Sequence, residues 1–160
     1  MSAARVEALV RELGLQPHPE GGWYREVFRS DLRVACDLPV PARSASTAIY
    51  FLLPAGGHSR WHRVSPDEVW HHYEGGPLEL LWFQPGGTMN REILAPVGAG
   101  RPVVVIPAGA WQAARPLADH ILAGCTVAPG FEFADFQMMS DHPDAVAELR
   151  RLAPGLLALV

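Results

Sequence analysis

Apolar residues recur at helical spacing near both ends of the chain and at short extended spacing between them. Val6, Leu9, Val10 and Leu13 fall on one side of a helix over about 3–13, with Ser2 placed as its N-cap and Gly14 just after the last periodic residue. A closing helix is expected over about 143–152. There Val146, Leu149 and Leu152 form the stripe, Asp141 is the N-cap candidate, Pro143 opens the first turn and Pro154 stops it. Over about 20–140 the pattern changes to short runs divided by PAGG, EGGP, QPGG and PAG turns. WYREVFR (23–29) alternates, TAIYFLL (47–53) is β-branched and aromatic, and LELLWF (78–83) and VVVI (103–106) are largely apolar. HILAGCTVA (120–128) and FADFQMM (133–139) complete a second sheet. The pattern predicts an all-β fold, an antiparallel sandwich or barrel with a short helix at each end. The apolar tail LLALV is compatible with covering the barrel, contacting a partner or fraying.

At 160 residues the chain is read as one domain, 1–160, able to bury roughly 70% of its unfolded surface. Its 49% apolar and 19% charged content excludes disordered, collagen-like and coiled-coil classes. All 13 basic residues are Arg, against 17 acids, for a formal net charge of −4. That balance argues against nucleic acid or anionic membrane as partners. The missing lysine excludes Schiff-base and P-loop lysine chemistry. Cys36 and Cys125 are too few for a disulfide framework or a four-thiolate zinc site. Glu7 and Glu12 interrupt the N-terminal apolar stretch, so it does not read as a signal peptide, and no run is long enough for a membrane helix. A cytoplasmic location is expected.

The chemical signal is concentrated in the middle of the chain. His58, His62, His71 and His72 lie close together with Asp67, Glu68 and Tyr73, and HRVSPDEVWHHYEGG (62–76) reads as strand, Ser-Pro-Asp turn, strand. Two neighbouring strands then offer His62 and Glu68 to one space. Alternation puts His72 on the face of Glu68 and Trp70, and His71 with Tyr73 on the other. Further upstream, HPEGGWYREVF carries a Gly21–Gly22 turn. After it Trp23, Arg25 and Val27 share one face, and Tyr24, Glu26 and Phe28 the other. An Arg and a Glu flanked by aromatics suit a planar or anionic ligand, or else form an edge strand with a surface ion pair. Trp61, Trp70 and Trp111 adjoin the histidine and glutamine positions and either line an apolar cavity or pack the core. Cys125 reads as a buried small hydrophobe. His18, His120 and His142 read as structural or surface residues.

The His, acidic turn, Glu68 and Gly75 pattern resembles the first motif of the cupin superfamily, and IPAGAWQ (106–112) resembles the second. Together with HPEGGWYREVFRS, TAIYFLL and GCTVAPGFEFADFQM, these segments are similar over about 5–140 to a cupin branch labelled a domain of unknown function and related to RmlC-like cupins. The resemblance implies a double-stranded β-helix, or jelly-roll, barrel and a homodimer. Carried over by position, His62 matches the first ligand, Val64 stands where a second His belongs, Glu68 matches the carboxylate, and Gln112 replaces the last His. An isopropyl group and a neutral amide make a poor transition-metal site, so no metal or other cofactor is expected.

These readings predict a small-molecule pocket in the barrel, with a metal-independent isomerase or epimerase acting on a sugar or keto compound. His62 and Glu68 are the catalytic candidates. Gln112, Tyr24, Arg25, Glu26, Trp61, Trp70, His72 and Tyr73 are the ligand-binding candidates. Two alternatives stand beside it. One is a binding cupin without turnover, and the other a cupin in which His62, Glu68 and Gln112 hold a divalent ion weakly.

Overall fold

The computed structural model describes residues 2–38 and 42–160, the side chain of Ser2 excepted, so the proposed Ser2 cap lies outside the described residues. Helix α1 (Ser2–Leu13) leads into β1 (Gln16–Pro17), β2 (Trp23–Arg29), β3 (Arg33–Ala35), β4 (Ala42–Ser44), β5 (Thr47–Pro54) and β6 (Ser59–Arg63). There follow β7 (Asp67–Gly75), β8 (Leu78–Phe83), β9 (Asn90–Leu94), β10 (Val103–Ile106), β11 (Trp111–Pro116), β12 (His120–Ala128), β13 (Gln137–Met138) and helix α2 (Pro143–Leu152). A six-stranded antiparallel sheet in the order β1-β2-β5-β12-β7-β10 faces a five-stranded one in the order β13-β6-β11-β8-β9. Strands β3 and β4 form a separate ribbon. The result is the all-β, jelly-roll arrangement with a helix at each end. Its two main sheets stay separate and do not close into one hydrogen-bonded cylinder.

The apolar pattern of each strand follows from what covers it. Phe51, Leu53, Trp70, Leu78, Leu80 and Ile106 meet between the sheets. Each such buried Leu or Phe side chain contributes on the order of 2 kcal/mol. Outside the five-stranded sheet, Trp61, Leu81, Phe83 and Trp111 are covered by α2 and the terminal 3₁₀ turn Pro154–Leu159. LELLWF is apolar almost throughout because β8 is buried on both faces. The tail therefore packs down: Leu159 is buried, and the Trp61 Nε1–H donates to Leu156 O at 3.1 Å. Helix α1 covers Leu52 and Leu122 on the opposite outer face.

Two local expectations are corrected. FADFQMM is not a strand; it forms the 3₁₀ turns Phe133–Asp135 and Met139–Asp141 around the two-residue β13. The N-cap of α2 is His142 and not Asp141, and it makes no side-chain capping bond. No described helix is long and apolar enough to cross a membrane.

Candidate functional site

Three irregularities in the strands decide which side chains point between the sheets. On β6, Gln112 pairs with His62 but Ala114 with Ser59, so β6 carries one extra residue there. Ser59 and His62, three apart, thereby reach the same inner surface while Trp61 goes outward. On β2, Glu26 pairs with Ile49 and Phe28 with Ala48, which leaves Val27 as the extra residue. Beyond this bulge the parity inverts: Arg29 joins Tyr24 and Glu26 on the inner side, and Phe28 is 54% exposed. The expected Tyr24–Glu26–Phe28 face is corrected accordingly. On β7, Leu122 pairs with Glu74 and Ala123 with His72, with Tyr73 between them unpaired.

The loop between β1 and β2 brings a residue that strand alternation does not reveal. Gly21 and Gly22 adopt φ of +114° and +70°. A Cβ at Gly21 would fall 2.3 Å from His58 O, and one at Gly22 2.6 Å from Leu52 O, so only glycine lets the loop lie this close. The Arg60 N–H donates to Glu20 O at 2.8 Å, which docks the loop on β6. Glu20 is thus buried against His62.

A cavity of about 290 Å³ opens between the sheets. Its polar end holds His18, Glu20, His62, Glu68 and Cys125. Tyr24, Phe51, Phe131, Phe133 and Phe136 supply rings around it, and Glu26, Arg29 and Glu132 gather at one part of its lining. The 131–136 segment packs by edge-to-face ring contacts, Phe131 to Phe133 at 4.9 Å and Phe133 to Phe136 at 5.9 Å between centroids. Phe136 also lies against His62 at 5.5 Å, and His18 is T-shaped on Tyr24 at 4.5 Å.

The hydrogen positions at the polar end follow from what each partner can do. The His62 Nδ1 is 2.7 Å from Arg60 O, which only accepts, so Nδ1 carries the hydrogen and Nε2 keeps its lone pair. The Glu20 N–H donates to His18 Nδ1 at 3.2 Å, leaving that nitrogen an acceptor as well. Glu20 Oε2 lies 3.2 Å from His62 Nε2 and 3.4 Å from His18 Nδ1, two lone pairs facing one oxygen. The Ser59 hydroxyl donates to Glu20 Oε1 at 2.7 Å. A proton on Oε2 satisfies this arrangement. Burial pushes the Glu20 carboxyl up to about 8, with the Ser59 bond and Arg60 opposing. Burial lowers His62 and takes His18 down to about 3, so both imidazoles are neutral at pH 7.

Glu68 forms the second acid. The Trp70 Nε1–H donates to Gln112 Oε1 at 3.2 Å, and the Gln112 Nε2–H donates to Glu68 Oε2 at 2.6 Å. Indole nitrogen only donates, which fixes the amide orientation and makes Glu68 Oε2 an acceptor. Any proton on Glu68 therefore sits on Oε1. Burial and nearby Glu20 raise this carboxyl to about 7, against His62, Gln112 and the Cys125 thiol, which hydrogen-bonds it. Burial raises the Cys125 thiol well above its ordinary range.

Of the residues proposed from sequence, His62, Glu68, Tyr24 and Glu26 line the cavity. Gln112 and Trp70 stand behind Glu68 as its support. Four placements are corrected. Trp61 lies on the far side of β6 under the C-terminal turn. Arg25 points outward and donates from Nη1 to Leu13 O at 3.0 Å. His72 is hydrogen-bonded to Gly75 O at 3.2 Å at the strand end. Tyr73 lies over Gly124 on the outer face, its ring against His71 and Tyr50. Trp111 also faces α2, with the Arg63 guanidinium 4.6 Å over its ring. The sequence reading missed Glu20, His18, Arg29 and the three phenylalanines. A signal existed for Glu20, next to the two glycines that force its loop against β6.

The donor set does not suit the transition metal that the cupin-like motifs would bind. Val64 lines the cavity without a donor atom, and the Gln112 amide is committed to Trp70 and Glu68. His62 is committed to Arg60 O and Glu20. Among the described residues no three His, Cys, Asp or Glu are grouped to hold an ion.

A family model described as "Cupin superfamily (DUF985)" matches residues 7–139. A Shewanella oneidensis protein solved by X-ray crystallography is 31% identical, with a TM-score of 0.79 over 96% of this chain and 93% of that one. A hypothetical protein from Leishmania major is 29% identical, with a TM-score of 0.81 over 96% and 95%. Oxalate decarboxylase from Lactobacillus farciminis, in its formate complex, is similar in fold alone: 19% identity, TM-score 0.59, over 91% of this chain and 41% of that one. No curated protein matches the chain.

Proposed function

Because the chain belongs to the DUF985 branch of the cupin superfamily, we propose that it uses the barrel interior as these folds commonly do, to hold a small molecule, and that it moves protons on that molecule without a metal. The reaction class is isomerisation or epimerisation of a sugar or keto compound, as in RmlC-like cupins. One observation carries this reading: two buried acids, Glu20 and Glu68, and a neutral His62 line one enclosed space. Buried carboxyls with raised pKa values cost stability and recur where acid–base chemistry needs groups poised near neutrality.

In the proposed step ionised Glu68 takes a proton from the carbon next to a carbonyl, becoming the acid. Glu20 gives its Oε2 proton to the carbonyl oxygen and becomes the carboxylate. The resulting enol returns its O–H proton to Glu20 and regains a C–H, on the same or the opposite face, as Glu68 gives its proton back. The Glu20 proton turns from the His62 Nε2 lone pair, where it rests without substrate, to the carbonyl oxygen, and Gln112 and Trp70 hold Glu68. The test is solvent-deuterium incorporation into a panel of keto sugars and keto acids. Incorporation that vanishes in Glu68→Gln and His62→Ala supports the reading. Binding of those compounds without any exchange favours a carrier, and overturns it.

A homodimer and a cytoplasmic location belong to the same proposal. The first is supported by Val103 and Val105, exposed on edge strand β10. The second is supported by a cysteine content of two, too few for the disulfide framework of a small secreted domain.

A further inference from the structure

The cavity is arranged against anions. Among the described residues lining it, Arg29 alone carries a permanent positive charge, while Glu20, Glu26, Glu68 and Glu132 face the same space. The Arg29 guanidinium is already engaged. Its Nε and Nη2 donate to the two oxygens of Glu26, each at 2.9 Å, Nη1 donates to Glu132 Oε1 at 3.0 Å, and Nη2 also donates to Phe131 O at 3.0 Å. The Val27 bulge is what makes this bidentate pair possible, since it puts Glu26 and Arg29 on one side of β2.

An entering phosphate would give up its hydration without gaining a cation, and would stand beside two carboxylates that already share one guanidinium. Size points the same way. At about 290 Å³ the cavity lies at the small end for ligand sites, room for one ring with its substituents and not for a nucleoside diphosphate besides. An uncharged ring with hydroxyl or carbonyl groups, by contrast, meets donors and acceptors at Glu20 and Glu68 and aromatic surface at Tyr24, Phe51, Phe133 and Phe136.

We infer that the cavity takes an uncharged ring compound bearing hydroxyl or carbonyl groups and rejects its phosphorylated or nucleotide-linked form, with Glu26 and Glu132 as the specificity-determining residues that withhold Arg29 from anions. This rests on the reading that the cavity holds a small molecule, and it does not depend on turnover.

The test is ligand-observed NMR with matched pairs: glucose and glucose 6-phosphate, and cyclohexanone and cyclohexyl phosphate. In the natural chain the uncharged member of at least one pair is expected to bind about tenfold or more tighter than its phosphate. In Glu26→Gln/Glu132→Gln the freed guanidinium is expected to raise phosphate-ester affinity about tenfold, and adding Arg29→Gln to abolish that gain. Arg29→Gln alone is expected to give no gain in phosphate-ester affinity over the natural chain. Preference for a phosphate, loss of phosphate binding in Arg29→Gln, or no binding of any member overturns the inference. Binding of the uncharged member with no deuterium exchange refutes the catalytic reading and leaves this one standing.

Discussion

Glu20 and His62 face each other across the polar end of the cavity, carboxyl Oε2 to imidazole Nε2 at 3.2 Å, with both side chains buried. The imidazole Nδ1 already donates to Arg60 O, so the proton between the two residues belongs to the acid. Carboxyl carbon NMR should therefore show Glu20 protonated at pH 7 and ionising at about 8. Ionisation at the ordinary carboxylate value would sink the assignment.

The same burial has a consequence for stability. Glu68 binds its proton more tightly folded, at about 7, than unfolded, at 4.5. Between those values the native state holds more protons than the unfolded one, so stability falls as pH rises and levels off above the folded value. At 1.36 kcal/mol per unit, Glu68 alone accounts for as much as about 3 kcal/mol, an order-of-magnitude figure. Glu68→Gln is expected to flatten that slope, with its advantage over the natural chain growing from pH 5 to pH 8. Urea unfolding across this range checks it; parallel curves would count against a buried acid.

Acid has the opposite effect at Glu74, which two-pronged bonding to Arg5 holds down to about 2. Its contribution is present above 4.5 and is lost as pH falls toward 2. The pair is largely exposed, so the loss is expected below about 1 kcal/mol. Because it ties α1 to β7, Arg5→Ala should speed amide exchange in α1 at pH 7 and leave β7 protected. Uniform exchange changes would refute the local tether.

How far these elements were legible depends on parity. The helices, the main strands, and the meeting of His62 and Glu68 in one space follow from hydrophobic spacing, because period 2 and period 3.6 are fixed by backbone geometry; the expectation that the two lie on neighbouring strands is corrected, since β6 and β7 belong to opposing sheets. Arg29 and Phe28 could not be placed that way. An extra residue at Val27 swaps their faces, and it is set by pairing with β5 and not by composition. Trp61 sat next to a cavity residue in sequence for the same reason that it points away from the cavity in space. Glu20 lay in a loop, where periodicity says nothing, and only the close approach of Gly21 to His58 O marks its position.

The segment carrying Phe131, Phe133 and Phe136 is anchored from below. Arg43, fully buried, stands 2.9 Å from Asp135 Oδ2 and donates to Gly130 O at 3.0 Å. Removing one charge strands the other, which typically costs about 3–5 kcal/mol. Asp135→Leu is expected to lose stability on that scale, and Arg43→Met/Asp135→Leu to regain most of it. Equal losses in single and double variants would show that volume, not charge, is what the pair supplies.

A dimer would cover the edge at β10, where Val103, opposite His71, is 46% exposed and Val105, opposite Val69, 51%. An unprotected apolar edge strand invites pairing with another copy. Light scattering at micromolar concentration should give twice the chain mass, and Val105→Arg the single mass with the cavity's ligand affinity retained. A natural chain that is monomeric at that concentration ends this expectation.

Two ligand positions of the superfamily motif are occupied here by Val64, which has no donor atom, and by Gln112, whose amide is committed to Trp70 and Glu68. The chain should therefore retain no stoichiometric divalent ion after dialysis. Val64→His/Gln112→His restores two imidazoles beside His62 and Glu68, a donor set that suits zinc or manganese. It is expected to retain one ion per chain and to gain thermal stability when that ion is added. Metal analysis and a melting curve decide between the two outcomes. Tight binding by the natural chain would mean that Gln112 and Glu68 rearrange to coordinate, and the proton positions derived for Glu68 would fall with it.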